Sequence, residues 1–287
     1  MKQRTITAVI MFVVLVPLLY LGGWFFTCLG MALSYVAGYE LLKMMEKEDR
    51  TFKRLKYVVP LYNALLILIF KLDQSLVVPL VILTILSFLA LGIFRPKFSI
   101  KSTISLIFVY LYSGLLLGLT LSLRLLSHYA LYETGYTEFL NRGFYLFVYL
   151  LITVMFTDMG AYFIGCSIGK HKLCPTISPK KSVEGAIGGI VIGTIFGFLF
   201  YFLVNKYVVS FSFFGFDTKY EWLIVLIITI LLTVATEIGD LVASKLKRHY
   251  DIKDYGNLFP GHGGVMDRFD SLIFAGALLY ALLIYLV

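Results

Sequence analysis

Five carboxylates lie in or against apolar stretches long enough to cross a bilayer: Asp158, Glu237, Asp240, Asp267 and Asp270. An ionisable side chain within a span costs roughly 3 kcal/mol, so each one needs a reason to be there. Glu237 and Asp240 are three residues apart, which places them on one face of a helix; Asp267 and Asp270 repeat that spacing. Like charges gathered in a low dielectric repel strongly, so the pattern points to a divalent metal site or a cation pathway. A plainer reading gives Asp267 and Asp270 to a helix amino-terminal dipole, and Asp158 and Glu237 to hydrogen bonds within a bundle. In the first half of the chain the corresponding acid is Glu40 alone, near the end of an apolar run.

Two polar connections accompany the acids. The first, 167–182, ends in Ser178-Pro179-Lys180-Lys181-Ser182, directly before the apolar run that opens Val183-Glu184-Gly185. A helix amino terminus with free N–H groups attracts anions, and lysines strengthen that attraction. The second, 244–267, contains Ser244, Lys245, Lys247, Arg248, Lys253, Asp254 and the turn Pro260-Gly261-His262-Gly263-Gly264, followed by Asp267-Arg268. Glycines there let a backbone approach phosphate groups closely. Carboxylates, lysines and glycines together suit a nucleoside triphosphate and its Mg²⁺. His262 in such a turn reads equally as a structural or a ligand-contacting residue.

The elements that must position these residues are hydrophobic helices. Hydrophobic residues make up 60% of the 287 and charged residues 15%, with a mean hydropathy of +0.89. Soluble domains carry about 25% charged residues. The fold class expected is an all-α polytopic transmembrane bundle of about nine spans, at 5–21, 24–42, 57–70, 76–94, 103–123, 144–166, 183–204, 222–243 and 268–287. The first is read as a retained span, since no small-residue cleavage site and polar continuation follow Met1-Lys2-Gln3-Arg4. With the amino terminus in the cytoplasm, twenty of the 25 Lys and Arg fall on the inner side, and the outer segments Lys71, 124–143 and 205–221 hold the rest. The net charge of +8 is thereby explained by topology, with no nucleic-acid partner. That orientation places both polar connections on the cytoplasmic face and Val287 on the outer one. Cys28, Cys166 and Cys174 show neither a CxxC pair nor zinc spacing.

Gly185, Gly189, Gly193 and Gly197 recur every fourth residue and form a smooth stripe on one helix face, suited to close helix packing. The stripe serves packing within the chain and equally permits a homodimer. The chain divides into an amino-terminal multispan region, 1–142, and a carboxyl-terminal catalytic membrane region, 143–287.

The run Ser244-x-Leu246-Lys247-Arg248-x₄-Lys253-Asp254-x-Gly256-x₂-Phe259-Pro260-x-His262-Gly263-Gly264-Val265-x-Asp267-Arg268-Phe269-Asp270 resembles the phosphatidate cytidylyltransferase signature at every fixed position. Ile177-Ser178-Pro179-Lys180-Lys181-Ser182-Val183-Glu184-Gly185 is similar to a second segment of that family, as are Asp158-x-x-Ala161-Tyr162 and Gly239-Asp240. Two departures are visible. Ser182 stands where the family usually has Thr, and Val183 where Trp is common. The likeness covers about 150 to the end; the first half matches as a hydrophobic multispan region.

The resemblance implies transfer of the cytidylyl group of CTP to phosphatidic acid at an active site facing the cytoplasm. It implies Mg²⁺ on Asp240 and Asp267; Asp158 and Glu237 are read as further ligands or as groups that hold those ligands, and the number of carboxylates leaves room for a second cation. Lys180, Lys181, Lys247 and Arg268 are candidates for the triphosphate or the lipid phosphate, with Ser178 and Ser182 as hydrogen-bond donors. The motif also brings Glu184, Ser244, Arg248, Lys253, Asp254, Gly263 and Gly264 into the substrate site, and His262 with Asp240, Asp267, Lys247 and Arg268 into the catalytic set. The partners implied are CTP, phosphatidic acid and the lipid bilayer, and a compact chain of this kind suits a prokaryotic inner (plasma) membrane, crossed many times. The competing readings are a lipid-alcohol kinase, which would release a nucleoside diphosphate; a cytidylyltransferase acting on a different phospholipid; and an ion transporter.

Overall fold

A computed structural model describes residues 2–95, 98–126, 139–207 and 219–286. Much of the expected outer connections 124–143 and 205–221, together with Val287, lies outside the described residues. All nine apolar runs fall on helices: α1 (Lys2–Leu21), α2 (Gly23–Met45), α3 (Phe52–Leu72), α4 (Val77–Phe94), α5 (Ile100–Val109) continuing into α6 (Leu117–Ser122), α7 (Phe139–Ile168), α8 (Val183–Tyr207), α9 (Glu221–His249) and α10 (Met266–Leu286). Among the described residues seven helical segments are long and apolar enough to cross a membrane, from Gly23–Met45 to Glu221–His249. Long apolar side chains such as Val78, Ile82 and Leu86 of α4 stay exposed, as a lipid-facing surface requires.

Three expectations change in detail. The third run, read as short, is a helix of 21 residues, because the basic turn beginning at Phe52 continues into it. Connection 167–182 is not all loop: β1 (Lys172–Cys174) and β2 (Ser178–Ser182) pair antiparallel, Lys172 opposite Ser182. Ser244, Lys245, Lys247 and Arg248 belong to α9, which runs on to His249, and not to the connection after it. Basic residues in a last helical turn complement the carboxyl-terminal dipole, which favours that extension.

The chain forms two compact units. The first joins Met1–Ser122 with Tyr250–Phe269; the second joins Leu123–His249 with Asp270–Val287. Residues 250–269 thus pack with the amino-terminal part of the chain.

In the first unit α2 and α3 approach closely at Gly38, where a Cβ would lie 2.5 Å from Asn63 Nδ2. Buried Asn63 donates to Ser113 Oγ at 3.0 Å, and Ser34 Oγ donates to the Ser113 carbonyl at 2.8 Å. Ser113 lies in a π-helical turn, Tyr110–Leu116, that links α5 to α6. The expected single run 103–123 is therefore one path with a widened middle.

In the second unit α8 lies between α7 and α9. A Cβ at Gly193 would sit 2.1 Å from Thr157 Oγ1 and 2.8 Å from Thr233 Cγ2; one at Gly197 would meet Thr153 and Thr229. Gly185 and Gly189 face the carbonyls of Ala161 and Thr157. The glycine stripe is thus used inside the chain. Thr153 and Thr157 return their hydroxyl hydrogens to carbonyls one turn back, at 2.8 and 2.7 Å, so small hydroxylated residues line the facing helix at no cost in unsatisfied polar groups.

Gly193→Ala is expected to destabilise by about 1–3 kcal/mol, because Thr157 cannot yield without losing its hydrogen bond. Ile195→Ala, on the exposed face of the same helix, is expected to change stability by only about 0.5 kcal/mol. Thermal unfolding of both variants in detergent reads the difference.

Candidate active site

Lys181 is the next-to-last residue of the hairpin strand β2, which delivers its ammonium to the carboxylates of α9. Nζ lies 2.7 Å from Glu237 Oε2 and 2.7 Å from Asp240 Oδ2. Their spacing of one helical turn is what lets a single cation touch both. Burial works against the charge on Lys181, but Asp240 and Glu237 outweigh it and hold its pKa above the usual lysine value. Glu237 is buried, and its Oε1 has no hydrogen-bond partner among the described residues.

Other acids of the second unit surround this pair. Ser271 Oγ makes a long 3.4 Å contact with Asp158 Oδ2, and Lys247 Nζ lies 3.7 Å from Asp270 Oδ2. Gly239, beside Asp240, brings α9 against α10: a Cβ there would be 2.9 Å from the Asp270 carbonyl. Four acids and two lysines are therefore held by α7, α9, α10 and the hairpin. Asp270, read as a possible dipole partner, has a lysine opposite it.

Several expected substrate-binding residues have structural partners. Ser182 is buried and its Oγ accepts the Gly185 amide at 3.1 Å, capping α8. Glu184 accepts from the amides of Lys170 and His171, at 3.0 and 3.2 Å, and meets His171 Nδ1 at 2.6 Å. Arg248 Nε donates to the Ile177 carbonyl at 3.4 Å, tying α9 to the hairpin turn. Lys180 is exposed, while Ser178 and Ser244 are half-buried.

In the first unit the turn 259–263 closes through Phe259 N to Gly263 O, 2.9 Å, and His262 N to Phe259 O, 2.8 Å. Gly261 and Gly263 have φ of 77° and 86°, a region costly for residues with a side chain. Asp267 Oδ2 accepts the amides of Tyr255 and Gly264, at 2.8 and 2.9 Å. The space a Cβ would fill at Gly263 is taken by Asp267, and at Gly264 by Glu40. These glycines admit protein carboxylates. His262 Nδ1 is buried without a hydrogen-bond partner among the described residues, Lys253 and Asp254 are exposed, and so is Arg268.

Sequence reasoning gave Glu40 no role. From α2 its carboxylate reaches the amides of Val265 and Met266, both at 3.0 Å, and so holds the first turn of α10. The signal available was a lone buried-type acid in an otherwise uncharged span.

Among the described residues no group of three or more His, Cys, Asp or Glu is arranged to hold a metal ion. The second-unit donors fit a hard cation in type, being carboxylate oxygens. The orphaned Glu237 Oε1 and the ammonium bracketed by two carboxylates mark where positive charge is favoured.

A multi-helix membrane protein with a lysine-bridged carboxylate centre is the class this structure defines. The chain belongs to the Cytidylyltransferase family, which it matches over residues 2–286. It is similar to the phosphatidate cytidylyltransferase of Staphylococcus haemolyticus, 32% identical over 291 residues and 99% of each chain. It is 35% identical to that of Bacillus subtilis over 296 residues, covering 99% of this chain and 97% of the relative. The Staphylococcus aureus enzyme of the same name is 35% identical over 294 residues, 99% of each.

Proposed function

We propose that this chain transfers the cytidylyl group of CTP to phosphatidic acid, giving CDP-diacylglycerol and pyrophosphate in phospholipid biosynthesis. The observation that carries this reading is whole-length similarity to phosphatidate cytidylyltransferases, with the full motif from Ser244 to Asp270 present. A phosphate oxygen of phosphatidic acid attacks the α-phosphorus of CTP, and the bond from that phosphorus to the β-phosphate oxygen breaks. The attacking oxygen is already anionic near neutral pH, so no strong general base is required. The obstacle is one anion approaching another, and cationic side chains lower it.

Lys181 and Lys247 supply fixed positive charge beside the α9 and α10 carboxylates, at the distances given above. Asp240, with Glu237 and Asp158, is the proposed seat of Mg²⁺; Asp267 is assigned to the metal by its depth in the span and by the resemblance. Bound there, Mg²⁺ would screen phosphate charge and align the leaving pyrophosphate. The same carboxylates leave a second cation as a proposal. We place the site on the cytoplasmic side of a bacterial inner membrane, where CTP is supplied and the basic segments face. Basic residues that flank spans call for lipid headgroups as neighbours and not for nucleic acid, and with the glycine stripe engaged within the chain, no homodimer rests on it.

Purified protein in mixed micelles with CTP, phosphatidic acid and Mg²⁺ is expected to form CDP-lipid and pyrophosphate in equal amounts, and to stop when a chelator is added. Release of CDP with a phosphorylated lipid would overturn the reading in favour of a kinase.

A further inference from the structure

The first unit contains an apolar groove of about 570 Å³. One wall is the face of α1 that carries Ile6, Ile10 and Val14; α2 contributes Leu33, and the motif turn contributes Phe259. Thr7 Oγ1 shares its hydrogen between the Gln3 carbonyl, 2.9 Å, and the Pro260 carbonyl, 3.0 Å, so α1 lies directly against that turn. Among the described residues lining the groove, Arg268 is the one charged side chain, and no carboxylate among the described residues pairs with it. From residue 3 to residue 15 of α1 the lining extends about 18 Å, close to the about 15 Å of hydrocarbon in one leaflet. Ile6, Ile10 and Val14 are each about half exposed, so the groove opens where lipid touches the helix.

The geometry points to this groove as the seat of one acyl chain of phosphatidic acid, with the Arg268 guanidinium meeting the lipid phosphate. The inference rests on the reaction proposed above for naming phosphatidic acid among anionic lipids. An apolar channel of leaflet length with one unpaired cation matches a glycerophospholipid in both shape and charge. A nucleotide has no apolar length to fill it, and a neutral lipid would leave the guanidinium without a counter-ion. The proposal gives α1, outside the motif-bearing half of the chain, a part in lipid selection. It also makes Arg268 a point where acyl chain and phosphate are held by adjacent groups.

Two measurements test it. Phosphatidic acid with a photoreactive group at the end of one acyl chain is expected to label α1 near Ile10 and Val14 in the wild-type protein. The labelling should be competed by unlabelled phosphatidic acid and not by phosphatidylcholine. It is read without CTP, so it stands or falls independently of cytidylyl transfer. Labelling elsewhere, or equal competition by phosphatidylcholine, would overturn the assignment and make the groove an ordinary lipid contact or a seat for a second copy. In turnover assays Val14→Trp, which fills the groove from its exposed side, is expected to lower the ratio of kcat/KM for dioleoyl over dihexanoyl phosphatidic acid by about tenfold. An unchanged ratio would count against the groove.

Discussion

Asp240→Asn is expected to lower kcat for CDP-diacylglycerol formation by about 1,000-fold, while the thermal unfolding temperature in detergent holds. The substitution keeps the shape of the side chain and removes one negative charge. In the native protein Lys181 bridges Asp240 and Glu237 at equal distances of 2.7 Å. Asn leaves Lys181 paired with Glu237, so no buried charge is orphaned, and it relieves repulsion among neighbouring carboxylates. Folding therefore has little to lose. Catalysis loses a carboxylate suited to a hard cation, and neutral amide oxygens bind Mg²⁺ far less well. The half-saturating Mg²⁺ concentration is expected to rise together with the fall in kcat. Normal turnover by this variant would remove Asp240 from the metal and with it the charge-screening role assigned to the centre.

Glu40→Ala is expected to cost about 3–6 kcal/mol of stability, from two hydrogen bonds to a charged acceptor at roughly 1.5–3 kcal/mol each. The carboxylate is buried, and its two oxygens are divided between the amides of Val265 and Met266. Alanine leaves both donors buried without their acceptor, at the turn from which Asp267 and Arg268 project. It also empties the space that Gly256 and Gly264 border, where a Cβ at either would clash with Glu40 Oε1. Glu40→Gln retains one carbonyl acceptor, and about half the loss is expected. Thermal unfolding of the two variants beside the wild type separates these outcomes. Activity should fall with Glu40→Ala even well below its unfolding temperature, since the motif turn loses its tether. A Glu40→Ala variant as stable as the wild type would show that the tether contributes nothing.

Particular residues show what the site reading reached and what it did not. Asp158, Glu237 and Asp240 were identifiable because charge inside an apolar run is costly wherever the helix stands. Lys181 was legible as a basic residue before a span, but its partners were not. They are 56 and 59 positions away, and only a hairpin folding back onto α9 joins them. Ser182 was read as a donor to phosphate, and Glu184 entered the substrate site through the family motif; the structure shows Ser182 at the cap of α8 and Glu184 on the amides of Lys170 and His171. Short-range sequence cannot tell whether a hydroxyl or carboxylate will meet a ligand or its own backbone, since both use the same hydrogen bond. Gly263 and Gly264 illustrate the same limit. Their lack of a side chain was plain, but the groups admitted are Asp267 and Glu40.

By itself the sequence determined the all-α membrane class, the positions of the helices, the small-residue face of α8 and the family motif. Each depends on hydrophobicity or spacing along one segment, and a bilayer makes such local properties decisive, because backbone hydrogen bonds must close within each span. Tertiary structure alone decided that α8 spends its glycines on α7 and α9, that one lysine serves two acids, and that Glu40 of α2 holds the start of α10. Those pairings join residues far apart in the chain. They depend on which helix faces which, and in lipid close packing and interhelical hydrogen bonds decide that, where hydrophobic burial between helices contributes little.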